Sequence, residues 1–221
     1  METVIFGCKT LENELLRAID ECGCAYEVKW VESGLHNVPK KLTSALQSAL
    51  DSAPGCLRAL MAFGYCGNAL SGLRSEEKTL IIPRVDDCIS LLLGSYSKKA
   101  ALTKDNGTYF LTEGWLKGER NIWVEYLHAI NKYGAELGSS IIDMMLEHHK
   151  TLGLLDTGCF DLSRIESEVR DIANTLKLNY KLIPATIEYL RRLLTGPWDN
   201  ESFLVIPPHN MVMDSDLSSV M

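Results

Sequence analysis

No run of lysine or arginine interrupts the acidic balance of this chain, whose net charge is −7. A nucleic-acid partner is therefore not expected. Long hydrophobic runs are missing too. The longest, LIIP and ISLLLG, are far too short to span a bilayer. The first residues carry no basic segment followed by a long apolar stretch, so no leader is expected and the chain reads as cytoplasmic, with no membrane partner. The signatures GxSxG and HExxH do not occur, nor does GxGxxG or the lysine of a P-loop. Carboxylates paired at a clear acid–base spacing are also absent.

What the chain does have is thiols: seven cysteines in 221 residues. An odd number in a chain this long is not a secreted disulfide framework and points to a reducing compartment. With 46% hydrophobic and 23% charged residues, the composition is that of a soluble globular protein, either one large domain or two small lobes. Such a length buries an ample core without staples. Cys22 and Cys24 straddle a glycine at a helix-to-strand turn, too close together for CxxC chemistry, and read as packing groups, as does Cys56.

Strand-like and helix-like segments alternate. VIFGC, YEVKWV, LRALMAFG and TLIIP are apolar runs that break at Gly, Pro or Asp. Between them, Leu11, Leu15, Ala18 and Ile19 repeat at helical spacing behind a Thr10 cap, and Leu42, Ala45, Leu46 and Ala49 repeat behind an Asn37 cap. Asp86 or Asp87 opens a further helix that Gly94 ends. The pattern predicts an α/β fold with a parallel, Rossmann-like sheet. The second half repeats it: GTYFLTEGW, TLGLLDTG, YKLIPAT and a closing ESFLVIPP as strands, with helices at IWVEYLHAINKYG, AELGSSIIDMMLEHHK, SRIESEVRDIANTLKL and ATIEYLRRLLTG. Two similar lobes are expected, at 1–106 and 107–209, with a frayed tail at 210–221.

If the first four strands are parallel, their ends bring Cys8, His36, Cys66 and Cys88 to one carboxyl edge, where open α/β sheets bind ligands. Three thiols and an imidazole are donors for a soft metal such as zinc; an iron–sulfur cluster is the lesser alternative. Cys66 lies in GYCGN, where Gly64 and Gly67 let the backbone turn tightly and, with Asn68, approach a ligand. Cys88 follows Asp86 and Asp87 in the first turn of a helix, where unpaired amides favour a thiolate. Arg84 offers a fork for a carboxylate or phosphate, or else pairs with those aspartates. Trp115 is a candidate pocket wall. His148 and His149, Asp156 and Thr157, and His209 are weaker candidates at other element ends.

ESGLHNVPKKL, FGYCGNALSGL, LIIPRVDDCISLLLGS, GTYFLTEGW and LLDTG together resemble the domain of unknown function 1638 family. The resemblance runs from the first strand to FLVIPP, and the pairing of GYCGNALSGL with IPRVDDCISLLLGS is its most specific part. It implies an anaerobic setting near corrinoid-dependent methyltransferase systems, and no transferable activity. In that setting the expected function is a metal–thiolate site protein of one-carbon metabolism that assists corrinoid-linked methyl transfer. The alternatives are a non-catalytic protein that binds a small molecule or a corrinoid carrier, and an iron–sulfur electron carrier.

Overall fold

The computed structural model describes residues 2–118 and 120–218, without the side chain of residue 105. Strand β1 (Thr3–Cys8) is buried along its whole length, as a near-continuous apolar run at the centre of a parallel sheet should be. Helix α1 (Glu12–Cys22) leads to β2 (Glu27–Val31), and α2 (Pro39–Asp51) leads to β3 (Arg58–Ala62). A looped crossover then reaches β4 (Thr79–Pro83). These four strands are parallel, in the order β2-β1-β3-β4.

Two predicted caps are corrected. Thr10 does not cap α1. It sits in a 3-10 turn at Lys9–Leu11, nearly fully buried, and α1 starts after Leu11 without a side-chain cap. Asn37 likewise falls in a 3-10 turn, Leu35–Asn37, and α2 opens at Pro39, whose fixed φ suits the first turn.

Beyond β4, α3 (Cys88–Leu93) is capped by Asp87, whose carboxylate accepts from the Ile89 and Ser90 amides, and ends at left-handed Gly94. The next segment holds a helix that the apolar pattern did not announce, α4 (Tyr96–Asn106), capped by Ser95. A second, three-stranded parallel sheet follows, in the order β5 (Thr108–Leu111), β6 (Thr151–Asp156), β7 (Asn179–Pro184). Helices α5 (Glu113–Leu116), α6 (Ile122–Tyr133), α7 (Ala135–Met145) and α8 (Leu162–Thr175) belong to this half.

The segment 107–209 does not form a lobe by itself. After β7 the chain returns: α9 (Glu188–Thr195) packs on α1, α3, β3 and β4, and β8 (Phe203–Ile206) pairs antiparallel with β4. The strand expected to close the second half thus completes the first sheet. Nor is the segment after Asn210 loose as far as it is described. Met211 bridges to Arg74, the Val212 amide donates to the Leu73 carbonyl, and α10 (Asp214–Leu217) buries Leu217. The rest of the expected tail, 219–221, lies outside the described residues. The described residues form two apolar cores, and the larger one, around the first sheet, also takes in Phe110, Leu155 and Ile183 from the second. Among the described residues, no helix is long and apolar enough to cross a membrane.

Candidate functional site

The carboxyl edge of the first sheet opens into a cavity of about 390 Å³. Cys8 ends β1, His36 lies in the turn after β2, Cys66 follows β3 and Cys88 opens the helix after β4; all four line this cavity. Gly67, Asp86 and Asp87 line it beside them, and Trp115 reaches it from α5 of the other half. Leu42, Phe63 and Ile89 supply apolar wall, while Thr10 and Glu32 add polar atoms.

Backbone pairing beyond the strand ends holds the cysteines together. The Tyr65 amide donates to the Val85 carbonyl at 2.9 Å and the Cys66 amide to the Asp86 carbonyl at 2.7 Å, so the chain after β3 stays zipped to the chain after β4. Gly64 permits this approach, because a Cβ there would lie 2.6 Å from the Asp87 nitrogen. Cys66, Gly67 and Asn68 then all take left-handed backbone, with φ of 46°, 67° and 64°. For a cysteine that conformation is strained, and it is held by the Cys66–Asp86 bond.

Cys8, Cys66 and Cys88 line the same cavity, and the Cys88 thiol influences and is influenced by its two neighbours there. The Cys8 thiol is pushed well above its ordinary range, first by its interaction with Cys88 and then by burial. Cys88 is likewise raised, first by Cys66, with burial adding to it while Cys8 opposes. Both are neutral thiols at physiological pH. The Cys8 sulfur also lies 3.0 Å from the buried Thr10 hydroxyl. Burial lowers the His36 pKa despite the nearby Asp87 charge, so its imidazole is neutral and can act as a donor atom to a metal. Among the described residues, no group of three or more His, Cys, Asp or Glu side chains is arranged to hold a metal ion.

A charged rim flanks the thiols. Lys99, from α4, pairs with Asp86 at 2.5 Å and also with Asp87. Burial disfavours the Lys99 charge, but the two aspartates outweigh it and its pKa rises. Asp86 also accepts from the Ser90 hydroxyl. Lys99 was not legible as a site neighbour, because α4 itself was not; the sequence offered Arg84 as partner to the two aspartates, and Lys99 takes that place.

Other expected residues lie elsewhere. Arg84 does not line the cavity: its amide donates to the Ser202 carbonyl, and Nη1 reaches the Asp216 carbonyl at 3.5 Å, so it ties β4 to the C-terminal segment. Gly64 and Asn68 shape the cavity's loop without lining it. His149 packs edge-on against Tyr109, and His209 pairs with Glu76. Thr157, at the end of β6, donates to Glu14 of α1 at 2.9 Å across the two halves. Cys22 and Cys24 pack against the main core, Cys56 is buried within it, and all seven cysteines are free.

Taken together, fold and site define an α/β protein with a thiol-lined pocket at the carboxyl edge of a mostly parallel sheet. The family description "Protein of unknown function (DUF1638)" matches residues 30–194, and the chain belongs to that family. His36, Cys66, Cys88 and Trp115 fall inside the matched span; Cys8 precedes it. No curated protein and no solved structure matches the chain.

Proposed function

We propose that the pocket is a metal–thiolate site serving one-carbon metabolism in a reducing, anaerobic cytoplasm, where it assists corrinoid-linked methyl transfer. The observation that supports this most is the convergence of Cys8, Cys66, Cys88 and His36 on one cavity from four separate strand ends. The donor chemistry suits a soft divalent ion such as zinc. Cys8, Cys66 and Cys88 would hold it, with His36 as a fourth donor, after side-chain movement from the positions described, in which no three of them are set to bind an ion. Cys8 and Cys88 as they stand are held protonated, so loading would exchange protons for the ion and be pH-dependent. When bound, such an ion lowers the pKa of a substrate thiol and keeps it nucleophilic. The chain's own groups bind and orient: Phe63, Leu42 and Trp115 exclude water, and the Asp86–Asp87–Lys99 cluster presents a fixed polar rim.

Elemental analysis of anaerobically purified protein, beside Cys66→Ala and Cys88→Ala, tests the reading. One equivalent of metal in the native chain, lost in both variants, is expected; a metal-free native chain overturns it.

One observation favours a second reading, non-catalytic binding of a small molecule or of a corrinoid carrier. The cavity, about 390 Å³, has room for an organic ligand and far exceeds one ion. Thermal-shift screening with corrinoids, amines and folates separates the two, because a ligand held by the folded state raises apparent stability whether or not metal is present. The ultraviolet-visible spectrum of the same anaerobic preparation tests an iron–sulfur carrier, which would be coloured.

A further inference from the structure

The three pocket thiols differ in access. Cys66 is partly exposed at the cavity wall, whereas Cys88 and Cys8 are 4% and 7% exposed. All three line one cavity, and the Cys8 sulfur lies 3.0 Å from the Thr10 hydroxyl. Cys66 also stands in a strained left-handed turn whose amide is bonded to the Asp86 carbonyl, two residues before Cys88. An accessible thiol that shares a cavity with a buried one, on loops zipped together by a backbone bond, is the arrangement needed for attack followed by resolution. None of the cysteines is engaged in a disulfide, so both sulfurs are available.

We infer that Cys66 and Cys88 form a dithiol that exchanges with low-molecular-weight disulfides, Cys66 attacking and Cys88 resolving. In the first step the Cys66 sulfur, its proton released to solvent, attacks one sulfur of RSSR. The S–S bond of the substrate breaks, a Cys66–S–S–R mixed disulfide forms, and RS⁻ leaves and takes up a proton. In the second step the Cys88 sulfur attacks the Cys66 sulfur, the mixed disulfide breaks, and a second RSH departs with the proton that Cys88 gives up. The net change is RSSR plus two protein thiols to one protein disulfide plus two RSH. The cavity of about 390 Å³ that Cys66 lines is where such a substrate would enter. The pocket in this form cannot present three thiols to a metal, so oxidation and metal loading exclude each other. This activity itself needs no metal and stands or falls separately from the proposed metal site.

The test uses the full-length chain, chelator-treated and reduced, then exposed to oxidised glutathione without oxygen. Intact mass and peptide mapping are the readouts. Native protein should lose two hydrogens, retain no glutathione and yield a Cys66–Cys88 cross-linked peptide. Cys88→Ala should stop with one glutathione on Cys66. Cys66→Ala should form the pocket disulfide more than about tenfold more slowly, because the remaining pocket thiols are buried. Circular dichroism of both variants establishes that they are folded. Glutathione retained on Cys66 of the native chain overturns the inference. So does a bond formed only elsewhere, such as Cys22 to Cys24, or an unaltered rate in Cys66→Ala. Because no metal is present at any stage, these outcomes are independent of the elemental analysis.

Discussion

Gly64 and Asp87 touch backbone to backbone, although they follow different strands. That contact sets how close the loop carrying Cys66 comes to the helix start carrying Cys88. An added methyl has nowhere to go, because the opposing atoms are main chain rather than the end of a flexible side chain. Gly64→Ala is expected to lose about 1–3 kcal/mol, the range for overpacking a rigid site. It should also separate the two loops. Urea denaturation gives the first quantity. Loss of the Cys66–Cys88 cross-link, in a variant still folded, gives the second.

Cys66 itself occupies a conformation that glycine adopts freely, with φ of 46°. Cys66→Gly should therefore be more stable than Cys66→Ala by about 1 kcal/mol, since both lose the thiol and only one keeps the strained Cβ. Equal midpoints for the two variants in chemical denaturation would show that the turn is not strained. Both should form the pocket disulfide more slowly than the native chain.

Asp87 performs two tasks, accepting from the Ile89 and Ser90 amides and pairing with Lys99. Asp87→Ala is expected to cost about 1–2 kcal/mol, mainly from the lost cap. Asp87→Asn retains a capping oxygen and drops the charge, so it should recover most of that loss. A thermal-unfolding comparison of the three proteins checks the order.

Two buried carboxylates on the contact between the halves should make opposite contributions to pH dependence. Burial raises the Glu14 pKa, and its Oε2 has no hydrogen-bond partner among the described residues. Its folded form binds a proton more readily than its unfolded form, so its contribution falls as pH rises above the unfolded value of about 4.3. Glu113 is the reverse. Burial raises it, but Lys117, Asn13 and Arg164 together outweigh burial and leave it lowered. Its contribution is present above about 4.3 and is lost as pH falls through its lower folded value. Glu14→Gln should thus stabilise the protein near neutral pH, and Glu113→Gln should destabilise it there, with both differences shrinking in acid. Denaturation midpoints across pH 3–7, about the range these groups titrate in, test the signs. A Glu113→Gln variant as stable as the native chain at neutral pH would remove the ionic tie from the account.

Much of the first sheet was legible because its strands are apolar runs bounded by Gly, Pro or Asp, and because Asp87, Gly94 and Pro39 are strong local punctuation. α4 was not legible. Tyr96–Asn106 carries no apolar stripe, and its helix rests on the Ser95 cap and its place against α3 and β5. Thr10 shows the opposite failure. Its residue type favours a cap, but the Gly114 backbone of α5 packs directly on the Thr10 main chain, and the hydroxyl turns inward to Cys8. Local chemistry lost there to a long-range contact.

The sequence alone determined the alternation of strands and helices and the placing of Cys8, His36, Cys66 and Cys88 at strand ends, since periodicity and turn residues are local properties. The tertiary structure decided the rest. Pairing is non-local, and only it could return β8 to the first sheet, bring Trp115 and Lys99 to the pocket, turn Arg84 away toward Asp216, and gather Cys8, Cys66 and Cys88 on one cavity.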